Sequence, residues 1–121
     1  MKLKVILNKL DQITIDEPII NKIETLYKTK LPDDIKKIIS LNQDGMLYDD
    51  ADLLRGLSAD EILNAAEDLW VEFTDINALP LFDTGDNDFI IFKTDQKCFY
   101  KFNIVDEIEF DKSLDLLNYI A

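Results

Sequence analysis

The spacing of apolar residues changes character at Leu79. Before it, apolar positions mostly recur every three or four residues; after it, they alternate or run together in short blocks. Helical spacing buries one stripe of a rod, whereas alternation buries one face of a pleat. A chain that carries the two patterns in separate parts predicts helices segregated from a sheet. Leu79-Pro80-Leu81-Phe82 leads into the turn-rich run Asp83-Thr84-Gly85-Asp86-Asn87-Asp88. Phe89-Ile90-Ile91-Phe92 is apolar at every position, the pattern of a strand covered on both faces. Asp95-Gln96 marks a tight turn. Cys98, Tyr100 and Phe102 then alternate with Phe99 and Lys101, and Ile104, Ile108 and Phe110 with Val105, Glu107 and Glu109. These segments predict a three-stranded meander, and Leu114, Leu117 and Ile120 a short closing helix. The fold class is therefore α+β: a single domain over 1–121, with a mainly antiparallel sheet, a C-terminal meander and flanking helices.

The first part of the chain reads as follows. Leu3, Val5 and Leu7 alternate with Lys2 and Lys4, and Ile13-Thr14-Ile15 is β-rich, so 1–15 is expected to be extended. Asp16 suits a helix N-cap, with Glu17 and Pro18 in the first turn and Ile19, Ile20, Ile23, Leu26 and Tyr27 at helical spacing. A second helix is predicted from Pro32, with Asp33 and Asp34 at its positive end and Ile35, Ile38 and Ile39 as the buried stripe. Asn42-Gln43-Asp44-Gly45 ends it, Gly45 being suited to the left-handed stop. The acidic stretch 48–52 is expected to be a loop. Ser58 and Glu61 have the spacing of a capping box, and Ile62, Ala65, Ala66, Leu69 and Trp70 continue one helical face.

Composition narrows the class. Hydrophobic residues make up 47% of 121, with only three Gly and three Pro, so the chain can build a core rather than remain disordered. The single Cys98 forbids an internal disulfide and fits a reducing compartment. Val5-Ile6-Leu7 is too short for a signal-peptide core, and no apolar window reaches a membrane-spanning length. The expectation is a soluble, cytoplasmic protein.

Charge is distributed unevenly. Residues 38–92 hold thirteen Asp and Glu against the lone cation Arg55, while 1–37 carry a net +2 and 93–121 a net −2. The whole of the formal −12 lies in the middle. Such a surface repels nucleic acid phosphates and anionic lipid and attracts a basic partner, so neither nucleic acid nor membrane is expected as a partner. The plainer reading of the same acids is a solubility surface.

Reactive chemistry is scarce. With no histidine, the commonest general base and metal ligand is missing. Cys98 falls in a predicted strand and reads as a buried, inert thiol. Three scattered glycines cannot build a phosphate loop or a dinucleotide fingerprint. A carboxylate pair could serve a glycosidase, but a chain of this size rarely supplies the cleft. The run 83–88 resembles a calcium loop in composition only. Its Gly comes too early, and Thr94 stands where the bidentate Glu belongs, so a tight turn is the better reading. No catalytic, cofactor-binding or metal-binding residue is assigned, and no enzyme is expected. Trp70 is a candidate interface aromatic, but its place on the apolar helical face makes core packing the preferred reading. Tyr48 is a candidate interface aromatic, and Arg55 a partner in an internal salt bridge.

Several segments together resemble a known family. Leu31-Pro32-Asp33-Asp34-Ile35 leads through a helix to Leu41-Asn42-Gln43-Asp44-Gly45. Leu79-Pro80-Leu81-Phe82 precedes the Asp/Gly turn 83–88 and the strand Phe89 to Phe92, and Lys112-Ser113-Leu114-Asp115-Leu116-Leu117 closes the chain. In this order and spacing they resemble the SUKH superfamily, which contains bacterial immunity proteins related to fungal cell-wall-synthesis regulators. The resemblance covers roughly residues 16–121. It implies an α+β domain that neutralises a secreted polymorphic toxin, often a nuclease, by direct binding in the cytoplasm. A nuclease surface must be positive to attract phosphate, so the partner implied is a basic toxin domain. The contacts expected on this chain are Tyr48, Asp49, Asp50, Asp52, Glu72, Asp83, Asp86 and Asp88, with Glu67 and Asp68 as second choices. The alternative is a scaffold or regulatory module of the same fold that binds a cellular protein with no toxin involved. Oligomeric state is left open between a monomer and a weak dimer.

Overall fold

The structure, a computed structural model, describes residues 3–42, 48–49 and 54–120. Two helices with strong local signals form the helical layer. Helix α2 (Glu17–Tyr27) starts where Asp16 Oδ1 accepts the Ile19 N–H, and it buries Ile20, Ile23 and Tyr27. Helix α3 (Asp33–Leu41) follows Pro32, carries Asp33 and Asp34 in its first turn, and buries Ile35, Ile38 and Ile39. The two helices pack on each other. Asp16 N–H donates to the Ser40 hydroxyl at 2.8 Å, tying the start of α2 to the end of α3.

The first residues are helical rather than extended. Helix α1 (Leu3–Leu7) is followed by a 3₁₀ turn at Leu10–Gln12, and the chain becomes extended only at Ile13. The competing pattern is legible: Leu3, Ile6, Leu7 and Leu10 recur at helical spacing, and Ile6 breaks the alternation that Lys2 and Lys4 suggest. Ile6, Leu7 and Leu10 pack against the core, while Val5 stays exposed.

A six-stranded antiparallel sheet runs in sequence order: β1 (Tyr48–Asp49), β2 (Leu54–Gly56), β3 (Ala78–Asp83), β4 (Asp88–Lys93), β5 (Cys98–Asn103) and β6 (Ile108–Ser113). The fold is α+β, as the change of spacing implies, and the last three strands form the expected meander. Strand β4 lies between β3 and β5, and Phe89, Ile90, Ile91 and Phe92 are all buried. Phe102, opposite Phe89, meets Phe73 edge-on at 5.8 Å between ring centroids. Phe92 and Phe99, paired in register, are tilted rings 5.4 Å apart. Cys98 is a buried free thiol.

The acidic stretch expected to be a loop contains a strand. Tyr48 and Asp49 pair with Arg55 and Leu54 in a short hairpin. Asp50 and Asp52, and the helix stop expected at Gly45, lie outside the described residues. Helix α3 ends at Leu41, with the Asn42 N–H capping the Ile38 and Ile39 carbonyls.

Asn42 also fixes β2 in place. Its side chain is buried and its Nδ2 donates to the Leu57 carbonyl at 2.7 Å. Gly56 lies so close that a Cβ there would sit 2.7 Å from Asn42 Cγ. Only a glycine lets β2 approach the end of α3 this closely.

The single helix expected over 58–70 is two. The capping box forms as predicted: Ser58 Oγ accepts the Glu61 N–H, and Glu61 Oε1 accepts the Ser58 N–H at 3.0 Å. Helix α4 (Ala59–Leu63) stops at Asn64, and α5 (Ala65–Leu69) restarts from it. Ala65 stays buried and Leu69 still packs against the core, but α5 ends one residue before the expected face is complete. Trp70, expected in the core, caps α5 in the left-handed region at φ 61 and is 91% exposed. Phe73, three residues on, takes the buried place instead.

The closing helix is a 3₁₀ turn at Leu116–Tyr119, which buries Leu116 and leaves Leu114 exposed. Among the described residues, left-handed φ values occur at seven non-glycine residues, most of them at turns: Lys28, Trp70, Asn77, Asn87, Lys97, Glu107 and Asp111.

Candidate functional site

Three acids of the chain's middle, Glu61, Asp68 and Asp83, gather around Arg55. Register places Tyr48, Arg55, Asp83 and Phe89 in one row across β1 to β4. The capping box holds Glu61 at the start of α4, where its carboxylate meets the Arg55 guanidinium as a two-pronged pair at 2.8 and 2.9 Å. Asp83 adds a longer ion pair to the same guanidinium at 3.8 Å. Arg55 is therefore the internal salt-bridge partner that its isolation among acids suggests. The bonded guanidinium holds the Glu61 carboxyl down to about 2, below its ordinary 4.5, and Glu61 in turn raises the Arg55 pKa.

A depression of about 70 Å³ lies between these elements, lined by Arg55, Glu61, Asp68, Leu69, Asp83 and Phe89 among others. It joins the end of α5 to the β2–β3 seam. Three carboxylates around one guanidinium leave it net negative. Trp70 follows directly on Leu69, and Glu67, Asp68 and Glu72 lie within three residues of it, all exposed.

The expected contact residues separate by role. Asp83 and Asp88 have structural tasks in the β3–β4 turn. Asp83 Oδ1 accepts the Gly85 N–H at 2.8 Å, and Asp88 Oδ1 accepts Asn103 Nδ2 at 2.8 Å. Thr84 Oγ1 donates to the Asp88 carbonyl, and Gly85 sits at φ 93, where a side chain would be strained. This is the tight turn read from the run 83–88. Asp86 is exposed at its tip. The side chains of Glu67, Asp68, Glu72 and Asp86 make no hydrogen bond or ion pair among the described residues. Tyr48 and Asp49 are placed by the β1–β2 register alone, and Asp50 and Asp52 lie outside the described residues. Sequence reasoning missed Trp70 as a surface residue. The signal was Asn64, a residue that favours caps over helix interiors, in the middle of the expected helix.

Two larger depressions lie elsewhere. One, of about 460 Å³, is lined by Asn21, Glu24, Thr25, Lys28, Thr29 and Lys30. Its Glu24 is already occupied, accepting the Leu31 N–H at 2.7 Å. The other, of about 240 Å³, is a mostly apolar groove between α3 and the chain's C-terminal turn. Among the described residues no group of three or more Cys, Asp and Glu is placed to hold a metal ion. No helix among them is long and apolar enough to cross a membrane.

No model of a known protein family, no curated protein and no solved structure matches this chain.

Proposed function

We propose that this protein is a bacterial immunity protein that binds a basic toxin domain, of the nuclease class, and neutralises it through the acidic face around Arg55 and Trp70. One observation carries the reading. The only cation of the 38–92 block is committed to Glu61 and Asp83, while Glu67, Asp68, Glu72 and Asp86 are exposed and make no ion pair among the described residues. A face of this kind fits a positive phosphate-binding surface and accelerates encounter with it, toward about 10⁸–10⁹ M⁻¹s⁻¹ in strongly steered pairs. The resemblance of 16–121 to the SUKH superfamily supplies the toxin as partner and the cytoplasm as the place of action. The protein is read as a binding module and not as an enzyme.

The test is a titration of the toxin domain encoded beside this chain, at salt concentrations from roughly 50 to 300 mM. Exposed charges are screened beyond about 8 Å at physiological ionic strength, so affinity and association rate fall steeply with salt. Changing Glu67, Asp68, Glu72 and Asp86 together to their amides lowers the affinity and flattens the salt dependence. Salt-independent binding refutes the electrostatic part of the reading, and no binding of that domain at all refutes the reading itself.

A further inference from the structure

Trp70 is the protein's only tryptophan and, among the described residues, the most exposed large hydrophobic side chain, at 91%. It sits at the end of α5 with a left-handed backbone, a conformation in which glycine is easy and a bulky residue is not. Its indole contributes nothing to the core, whose aromatic place here belongs to Phe73. Glu67 and Asp68 precede it on the last turn of α5 and Glu72 follows two residues on, all exposed. Next to it the α5 end opens onto the depression that holds Asp68 and Asp83.

An aromatic face beside unpaired carboxylates matches the chemistry of one side chain above others. The arginine guanidinium is planar and weakly hydrated, stacks on indole, and pairs with carboxylates through its edge. Lysine offers the same charge without the plane. A neutral apolar partner would have to strip water from three carboxylates and recover nothing for it.

We infer that Trp70, with Glu67, Asp68 and Glu72, forms a docking point for an arginine side chain of the basic partner, with the indole stacked on the guanidinium and the carboxylates paired to it. This rests on the acidic-face reading above and names the residue on which that face concentrates its affinity. Interface energy gathers on a few aromatic and arginine residues, and the acids around Trp70 then supply orientation and charge.

The single tryptophan reports on its own site. The probes are an octa-arginine peptide and an octa-lysine peptide of equal charge. Each is followed by Trp70 fluorescence and, independently, by anisotropy of the labelled peptide. The expected result is saturable quenching of Trp70 by octa-arginine, with octa-lysine binding more weakly. Trp70→Gly, which suits the left-handed backbone and so keeps the fold by circular dichroism, weakens octa-arginine binding at least about 10-fold, while Trp70→Phe weakens it less. Wild-type anisotropy that rises without any change in Trp70 fluorescence, or equal affinity of wild type and Trp70→Gly, overturns the docking point and leaves the acidic-face reading standing. Failure of the wild type to bind either peptide at low salt overturns both.

Discussion

Substitution of Gly56 by Ala tests how β2 is held against the helical layer. Gly56 has no left-handed φ, so Ala is acceptable to its backbone and the cost is purely one of space. The new methyl group would lie 2.7 Å from Asn42 Cγ, closer than real contacts allow, and 3.0 Å from Asn42 Oδ1, at the tight edge of them. Asn42 is buried, caps α3 and donates to the Leu57 carbonyl, so it cannot swing clear without breaking that bond. Losing a buried hydrogen bond and stranding its partner costs about 1–3 kcal/mol, and overpacking adds about 1–3 kcal/mol. The sum, roughly 2–6 kcal/mol, is a large part of the ~5–15 kcal/mol that holds a small domain folded. Removing the obstruction decides the cause. In an Asn42→Ala background the methyl group has room, and Gly56→Ala should then cost at most about 1 kcal/mol, giving a coupling energy of at least about 1 kcal/mol. Urea unfolding followed by far-ultraviolet circular dichroism measures all four proteins. Circular dichroism is the right signal because the exposed Trp70 indole changes its surroundings little on unfolding. If Gly56→Ala is as stable as wild type, or if its cost is undiminished beside Asn42→Ala, the steric account is wrong.

Acid should loosen the Arg55 junction in a defined window. Glu61 has a folded pKa of about 2 against an ordinary 4.5, so its contribution is present above 4.5 and disappears as pH falls toward 2. Because both partners are more than a third exposed, solvent screening limits that contribution to about 1 kcal/mol. Glu61→Gln should show a shallower loss of stability across the same window, and an unchanged acid profile would refute the assignment. Cys98 has no exposed surface, so a thiol reagent should modify it only as fast as the domain opens. Modification of the native protein at the rate of a free thiol would place Cys98 at the surface.

Local chemistry made much of the helical layer legible. Asp16 and the Ser58–Glu61 box are caps whose bonds reach only three residues, so sequence spacing suffices to find them. The turn 83–88 is legible for the same reason, since Asp83 bonds two residues on and Gly85 takes a positive φ. What stayed hidden depends on partners distant in sequence. Strands β1 and β2 have two and three residues, too few for any period, and exist because β2 pairs with β3 some 25 residues later. Helix α1 was masked by two competing periods in the same few residues, and packing of Ile6, Leu7 and Leu10 decided between them. In the site, Arg55 was readable as an ion-pair partner because it stands alone among acids. Trp70 was not, because α5 ends at it in the left-handed conformation, which takes the indole off the face that Ala65 and Leu69 keep toward the core.

The chain closes its turns with almost no glycine. Lys28, Asn77, Asn87, Lys97 and Glu107 take the left-handed backbone at turns and helix ends with a polar or charged side chain in place, Asp111 does so within β6, and Trp70 does so with the largest side chain. Glycine would be easier at each of them, so the fold does not require these side chains where they stand. They are positions at which surface character can change while the buried residues remain untouched. A lineage matched to a changing partner can therefore alter its outer chemistry at the turn tips and the α5 cap, at little cost to the sheet that carries them.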